Sequence, residues 1–195
     1  MQAEDVIPTY ERLGQIWAKQ RNRSLMEKQW LDRFLAVAPR PTGAVRVLDL
    51  GCGSGQPMAA YLAERGAALT GVDATDTMTQ LYAQNIPQAE VTKADMRTIN
   101  LDRGFDAILA WNSFFHLSAE DQRPMFARFA AHSAPRAALM FTSGHMAGEA
   151  IGKVADAPIY HASLDRAEYQ KLLTDSGFKV LRYTPEAPEC GQHTV

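Results

Sequence analysis

Two hydrophobic periods divide the chain. Over residues 10–37 the apolar side chains Ile16, Trp17, Leu25, Met26, Trp30, Leu31, Phe34 and Leu35 recur at mostly three- and four-residue steps, the spacing that gathers one face of an amphipathic helix. Asn22 and Ser24 are types that cap helix starts, so the stretch reads as two helices, and the proline-rich run at residues 39–43 closes it as a linker. Beyond it, short apolar runs alternate with helical ones. Strands are expected at residues 45–50, 68–73, 89–95, 105–111 and 137–143, with helices up to about residue 65, over 76–84 and across 125–132. This alternation implies parallel pairing through right-handed crossovers, hence an α/β, doubly wound sheet with helices on both faces.

Local signals sharpen the boundaries. Pro57 suits a first helical turn and Gly66 a helix end, while Pro124 predicts a short turn with a second helix start behind it. In the tail, Asp165 with Glu168 has capping-box spacing, Gly177 ends that helix, and residues 178–183 read as a strand. Residues 144–157 form the longest stretch without a period, the kind of loop that often carries function.

Composition removes whole classes. A chain of 195 residues with 46% hydrophobic and 22% charged residues is neither disordered nor a coiled coil, and suits one core. No apolar run approaches the roughly 18 residues of a membrane span, and the N-terminus lacks a signal-peptide layout, so a cytoplasmic protein without a membrane partner is expected. Cys52 and Cys190 supply neither a disulfide framework nor a metal-ligand spacing, and no metal is expected. A formal net charge of -2 gives no general attraction to nucleic acid, which favours a small-molecule partner and leaves monomer and homodimer both open.

The run VLDLGCGSGQP, residues 47–57, sets glycines at 51, 53 and 55 directly behind the first strand. Such turns usually cradle phosphate on helix-start N–H groups, and ligands of open parallel sheets sit beyond the carboxyl ends of the strands. The dinucleotide fingerprint fails, because its last glycine would be Gln56 counted from Gly51, or Met58 counted from Gly53. Asp49 precedes the turn, and Asp73 ends the second strand. An acid at 49 repels pyrophosphate and suits a ligand bearing ammonium or sulfonium charge, whereas an acid at 73 can accept ribose hydroxyls. A nicotinamide-dependent oxidoreductase is therefore the remote alternative.

At these residues VLDLGCGSG resembles the first motif of the class I S-adenosylmethionine-dependent methyltransferases, and GVD at residues 71–73 the second. The likeness spans residues 45–144, continuing through ADMR and FDAILAWNSFFHL, and the whole chain is similar to small bacterial members carrying WNSFFHL and YHASL. The resemblance implies a mostly parallel, seven-stranded Rossmann-like sheet whose last, antiparallel strand is short here and begins near GQHTV. It also implies one domain, in which residues 1–43 form a helical lid over a core of residues 44–195. The cofactor would be S-adenosylmethionine and the product S-adenosylhomocysteine. Asp49 and the turn Gly51, Cys52, Gly53 and Gly55 would approach it, Asp73 with Ala74 would hold the ribose, and Asp95 with Met96 would flank the adenine. Trp111 and Asn112 would lie near the methionine part and the transferred methyl.

Methyl transfer from a sulfonium is an in-line displacement with an activated leaving group, so positioning and desolvation suffice and a base is not obligatory. For a hydroxyl or a protonated amine, His116 is the candidate base because it follows the fourth strand; a role that only lines the pocket fits it equally. Phe115, His116, His145, Tyr160 and His161 are candidates for the acceptor pocket, with a core position for Phe115 and a short strand through Tyr160 and His161 as alternatives. Trp17, Arg21 and Arg23 would face the cleft from the lid, an arginine there pairing with a carboxylate of cofactor or acceptor; otherwise they form a solvated face. WNSF lacks the two prolines of the Asn/Asp-Pro-Pro-aromatic motif that methyltransferases of nucleobases and glutamine share, which speaks against nucleic acid. The expected function is methyl transfer to oxygen or nitrogen of a small molecule, with a non-catalytic nucleoside-binding regulator as the alternative.

Overall fold

The apolar runs pair side by side. In a computed structural model, which describes residues 1–41, 43–188 and 191–195, β1 (Arg46–Leu50), β2 (Ala68–Asp73), β3 (Glu90–Lys93), β4 (Phe105–Ala110) and β5 (Ser133–Phe141) form one parallel sheet in the order β3-β2-β1-β4-β5. Side chains alternate across it. Val47, Ala107 and Leu109 face a cluster with Trp30, Leu31, Phe34 and Leu35 of α2 (Lys28–Val37), Leu62 of α3 (Met58–Glu64) and Tyr82 of α4 (Asp76–Asn85). Leu48, Ile108 and Ala110 face a second cluster with Met125, Phe126 and Phe129 of α5 (Ala119–Ala131) and Tyr169 of α6 (Arg166–Asp175). Each fully buried side chain such as Leu31, Leu48 or Phe129 contributes about 2 kcal/mol. Strand order reverses between β1 and β4, and this switch point fixes where a ligand cleft opens.

One helix walls that cleft, and a hairpin braces the helix. α1 (Val6–Gln20) crosses α4 so closely that a Cβ on Gly14 would stand 2.9 Å from Met78 Cε. β6 (Gly148–Val154) and β7 (Ala157–Ser163) form an antiparallel hairpin whose Val154, Ile159, Tyr160 and Ala162 pack with Val6 against Tyr10, Leu13 and Trp17 of α1. No helix among the described residues is long and apolar enough to cross a membrane.

The structure corrects five expectations. Among the described residues the main sheet has five strands rather than seven. Residues 178–183 have strand-like composition but no ladder partner among the described residues: a cavity of about 710 Å³ is lined by them and by β5, which keeps the two from pairing. The tail near GQHTV makes only isolated bridges, Ser143 with Thr194 and Ala187 with His193. Pro124 does not break its helix; α5 runs through it, because Ser118 caps the start and Met125, Phe126 and Phe129 bury the face behind the proline. Residues 144–157, read as irregular, contain β6, whose burial is confined to Val154 and in part Gly152, too little to imprint a period. The ends of α6 follow the sequence reading: Asp165 accepts from Glu168 N–H at 2.8 Å, and Gly177 adopts a φ of +83°. Cys190 lies outside the described residues.

Candidate functional site

The glycine turn is closed on itself. Gly51 and Cys52 both donate their N–H to Val72 O, at 2.8 and 3.0 Å, and Gly55 N–H donates to Cys52 O at 3.1 Å. Gly53 N–H donates to Asp73 Oδ2 at 3.1 Å. The N–H groups of these four residues are thus engaged within the protein, unlike those of a phosphate cradle. Gly51 is obligatory at its position: its φ is +69°, and a Cβ would fall 2.3 Å from Ser113 Cβ. Gly53 lies open towards Trp17, whose ring would be 3.6 Å from a Cβ there.

Two carboxylates meet at this turn. Asp73 Oδ1 accepts from Thr75 N–H at 3.0 Å and from Thr75 Oγ1 at 2.8 Å. With Gly53 on Oδ2, most of the acceptor capacity of the carboxylate is used within the protein. Burial raises the pKa of Asp73, while the bonds from Thr75 and Gly53 oppose that rise. Asp49, 6% exposed at the end of β1, makes no side-chain hydrogen bond among the described residues. Burial, and then the charge of Asp73, push its pKa up to about 7. A buried acid without a donor is costly, and here it faces a cleft.

That cleft is lined by every residue expected at the cofactor: Asp49, Gly51, Cys52, Gly53, Gly55, Asp73, Ala74, Asp95, Met96, Trp111, Asn112, Trp17 and Arg21. Arg97 holds Asp95 with bonds of 2.7 to 3.1 Å and reaches Asp121 Oδ2 at 2.9 Å. These bonds outweigh burial and lower the pKa of Asp95. Trp111 Nε1 and Ser54 Oγ are buried without a partner among the described residues. Asn112 sits at a φ of +49°, its N–H donating to Thr142 Oγ1 at 2.7 Å. Arg21 lies over the Trp17 ring at 5.6 Å and pairs with the buried Glu27 at 3.1 Å, so its charge is already balanced; Arg23 is exposed.

His116 lines the same cleft and is 8% exposed. Its Nδ1 lies 2.8 Å from Tyr160 O and its Nε2 3.1 Å from Tyr10 Oη. A carbonyl only accepts, so Nδ1 carries the proton and Nε2 receives the Tyr10 hydroxyl. Burial lowers the pKa of His116 to about 3, and burial together with Asp73 raises that of Tyr10. The other acceptor-pocket candidates lie elsewhere. Phe115 is 4% exposed and its ring packs 4.6 Å from His161, which lies 4.9 Å from the His116 ring. Tyr160 turns its side chain into the hairpin cluster and donates to Glu149 at 2.8 Å. His145 is exposed, 4.0 Å from Glu186. None of these four is among the residues lining the cleft.

Sequence reasoning missed Tyr10, Thr75, Arg97 and Ser113. Thr75 carried a signal, as a capping type directly before the helix beginning at Asp76; its hydroxyl accepts from Met78 N–H at 3.2 Å. Tyr10 carried none, because it meets His116 across 106 positions.

Comparison with known proteins agrees with this geometry. Residues 47–136 match a family model described as a methyltransferase domain. The chain is 25% identical over 157 residues to the dTDP-4-amino-2,3,4,6-tetradeoxy-D-glucose N,N-dimethyltransferase of Saccharopolyspora spinosa; the match covers 78% of the chain and 63% of that relative. Its fold is similar to an S-adenosylmethionine-bound amino pentose methyltransferase of Micromonospora echinaspora (TM-score 0.69, 19% identity, covering 90% of this chain and 91% of that one). It is also similar to the magnesium protoporphyrin IX methyltransferase of Synechocystis PCC 6803 with the same ligand (TM-score 0.68, 18% identity, 93% and 88%). The motif order, the unfilled acid at the closed glycine turn and these matches agree with one another: residues 47–136 match a methyltransferase domain, and the fold around them is similar to that of these S-adenosylmethionine-bound structures.

Proposed function

We propose that the protein transfers a methyl group from S-adenosylmethionine to a nitrogen or oxygen of a small molecule. The observation that carries this reading is Asp49, a buried carboxylate with no donor among the described residues, beside a turn whose N–H groups at Gly51, Cys52, Gly53 and Gly55 are already engaged. Such a site suits a ligand that brings positive charge and no phosphate. The residues present fit the cofactor: among the described residues Trp111 and Ser54 offer unpartnered buried polar atoms, Asp49 faces the same cleft, and Asp73, Asp95 and Met96 line it with them. When bound, the cofactor supplies an electrophilic methyl on a leaving group that needs no protonation.

The chain's own residues then position the acceptor and exclude water. Tyr10 and His116 form a polar pair in the cleft, with the lone pair of His116 Nε2 directed at the Tyr10 hydroxyl. Because burial makes His116 a weak base, the arrangement favours an acceptor that arrives with a free lone pair, such as a neutral amine, over a hydroxyl that must be deprotonated. The name of the N,N-dimethyltransferase relative supports nitrogen. α1 fits the part of a lid within the same domain: the cleft encloses about 140 Å³, below the roughly 300–1,000 Å³ of ligand pockets, so admitting a nucleoside calls for α1 to move.

Calorimetry on the folded protein tests the reading. Binding of S-adenosylmethionine or S-adenosylhomocysteine is expected, weakened in Asp73→Ala by about 1.5–3 kcal/mol, the worth of hydrogen bonds to a charged group. An absence of heat with either ligand would sink it. S-adenosylhomocysteine formation over a panel of amines and alcohols separates an enzyme from a domain that only binds the nucleoside.

A further inference from the structure

Glu11 lies on the exposed side of α1, yet its carboxylate is fully engaged with another helix. Oε2 accepts from Asp76 N–H at 2.8 Å, and Oε1 accepts from Thr77 N–H at 3.3 Å and Thr77 Oγ1 at 2.9 Å. The Thr77 hydroxyl also reaches Glu11 O at 3.0 Å. The first four N–H groups of a helix have no partner within it. At α4, Thr75 N–H goes to Asp73 Oδ1 at 3.0 Å and Met78 N–H to Thr75 Oγ1 at 3.2 Å, while the two between them are capped from α1. The start of α4 is therefore closed half from inside the cleft, by Asp73 and Thr75, and half from outside, by Glu11.

Other positions of α1 face the cleft. Tyr10, Trp17 and Arg21 line it, and Gly14 brings the helix against Met78 and Thr77. A swing of α1 that frees these residues must pull the Glu11 carboxylate off the α4 start. We propose that Glu11 is a latch: it ties the position of α1 to the helix start that holds Asp73, and thereby sets how fast the cofactor enters and leaves. The latch rests on the methyltransferase reading and deepens it. Glu11 is a positioning residue that acts through Asp76, Thr77 and Thr75 without lining the cleft. Lys93, which pairs with Asp76 at 2.5 Å on the same corner, keeps the local charge balanced when Glu11 is removed.

Amide hydrogen exchange and ligand-release kinetics on wild type, Glu11→Ala and Glu11→Gln test this, with S-adenosylhomocysteine as the probe. In Glu11→Ala, exchange is expected to rise at the amides of Asp76 and Thr77 and along α1. S-adenosylhomocysteine release is expected to accelerate about tenfold, the scale of a lost helix cap, with KM for S-adenosylmethionine rising and kcat little changed. Glu11→Gln, which keeps one acceptor oxygen, falls between and serves if the alanine variant folds poorly. Unchanged exchange along α1 overturns the latch, as does faster exchange with an unchanged release rate. If wild type binds no S-adenosylhomocysteine, the methyltransferase reading fails separately, and exchange of the ligand-free proteins alone decides whether Glu11 holds α1.

Discussion

Replacing Asp49 with asparagine isolates the charge at the centre of the site. In the ligand-free protein this carboxyl titrates near 7 instead of its ordinary value of 3.8. Its folded pKa is raised, so the folded state binds the proton more tightly than the unfolded chain does, and ionisation opposes folding. The penalty is absent below the unfolded value, grows as pH rises through the interval and is complete above about 7. At 1.36 kcal/mol per tenfold change in acidity, it amounts to about 4 kcal/mol at pH 8 and about 2 kcal/mol at pH 5. Asp49→Asn keeps the shape and removes the penalty, so in urea unfolding the variant should gain on wild type as pH rises from 5 to 8. A gap that does not change with pH would refute the reasoning. The proposed ligand reverses the sign: a cation beside Asp49 favours the ionised form, so binding near pH 7 should release protons. Calorimetry in buffers of different ionisation heat reads this directly, and Asp49→Asn should abolish most of the release while weakening the affinity.

Three further outcomes follow from neighbouring residues. His116 and His161 have pKa values lowered to about 3 and about 4, chiefly by burial; their stabilisation is complete above the ordinary value of 6.5 and fades as pH falls towards the folded values, so acid unfolding should take up about two protons at these rings, fewer in His161→Gln. Gly51→Ala combines a positive φ with a Cβ driven into Ser113 and should cost about 3 kcal/mol or prevent folding, as read by thermal unfolding. Arg97→Ala releases Asp95 and Asp121, and because these groups are about a third exposed the stability loss should stay near 1 kcal/mol; the larger effect should appear as weaker binding of S-adenosylmethionine in calorimetry.

What could be read from the chain depended on how local its cause was. β1, β2 and β4 declared themselves because they are buried on both faces, and the glycine turn because Gly51 tolerates no side chain. Asp49 and Asp73 were legible as a pair because strand ends in a parallel sheet meet in a known place. β6 was not, since it lies on the surface and its glycines and charges hide the alternation. Residues 178–183 show the converse: the composition of a strand without the neighbour that makes one. Tyr10 and Glu11 read as ordinary members of a helical face, and only the packing of α1 over α4 and the 3-10 turn Phe114–His116 gives them partners.

The bond from His116 to Tyr160 reaches a main-chain oxygen and no side chain. Any residue at position 160 offers the same carbonyl, so the proton on the imidazole stays where it is whatever the hairpin's side chains become. The exposed face of β6 can therefore change, at Ile151 for example, without rewiring the polar pair of Tyr10 and His116, whereas Glu149 is tied to the Tyr160 hydroxyl.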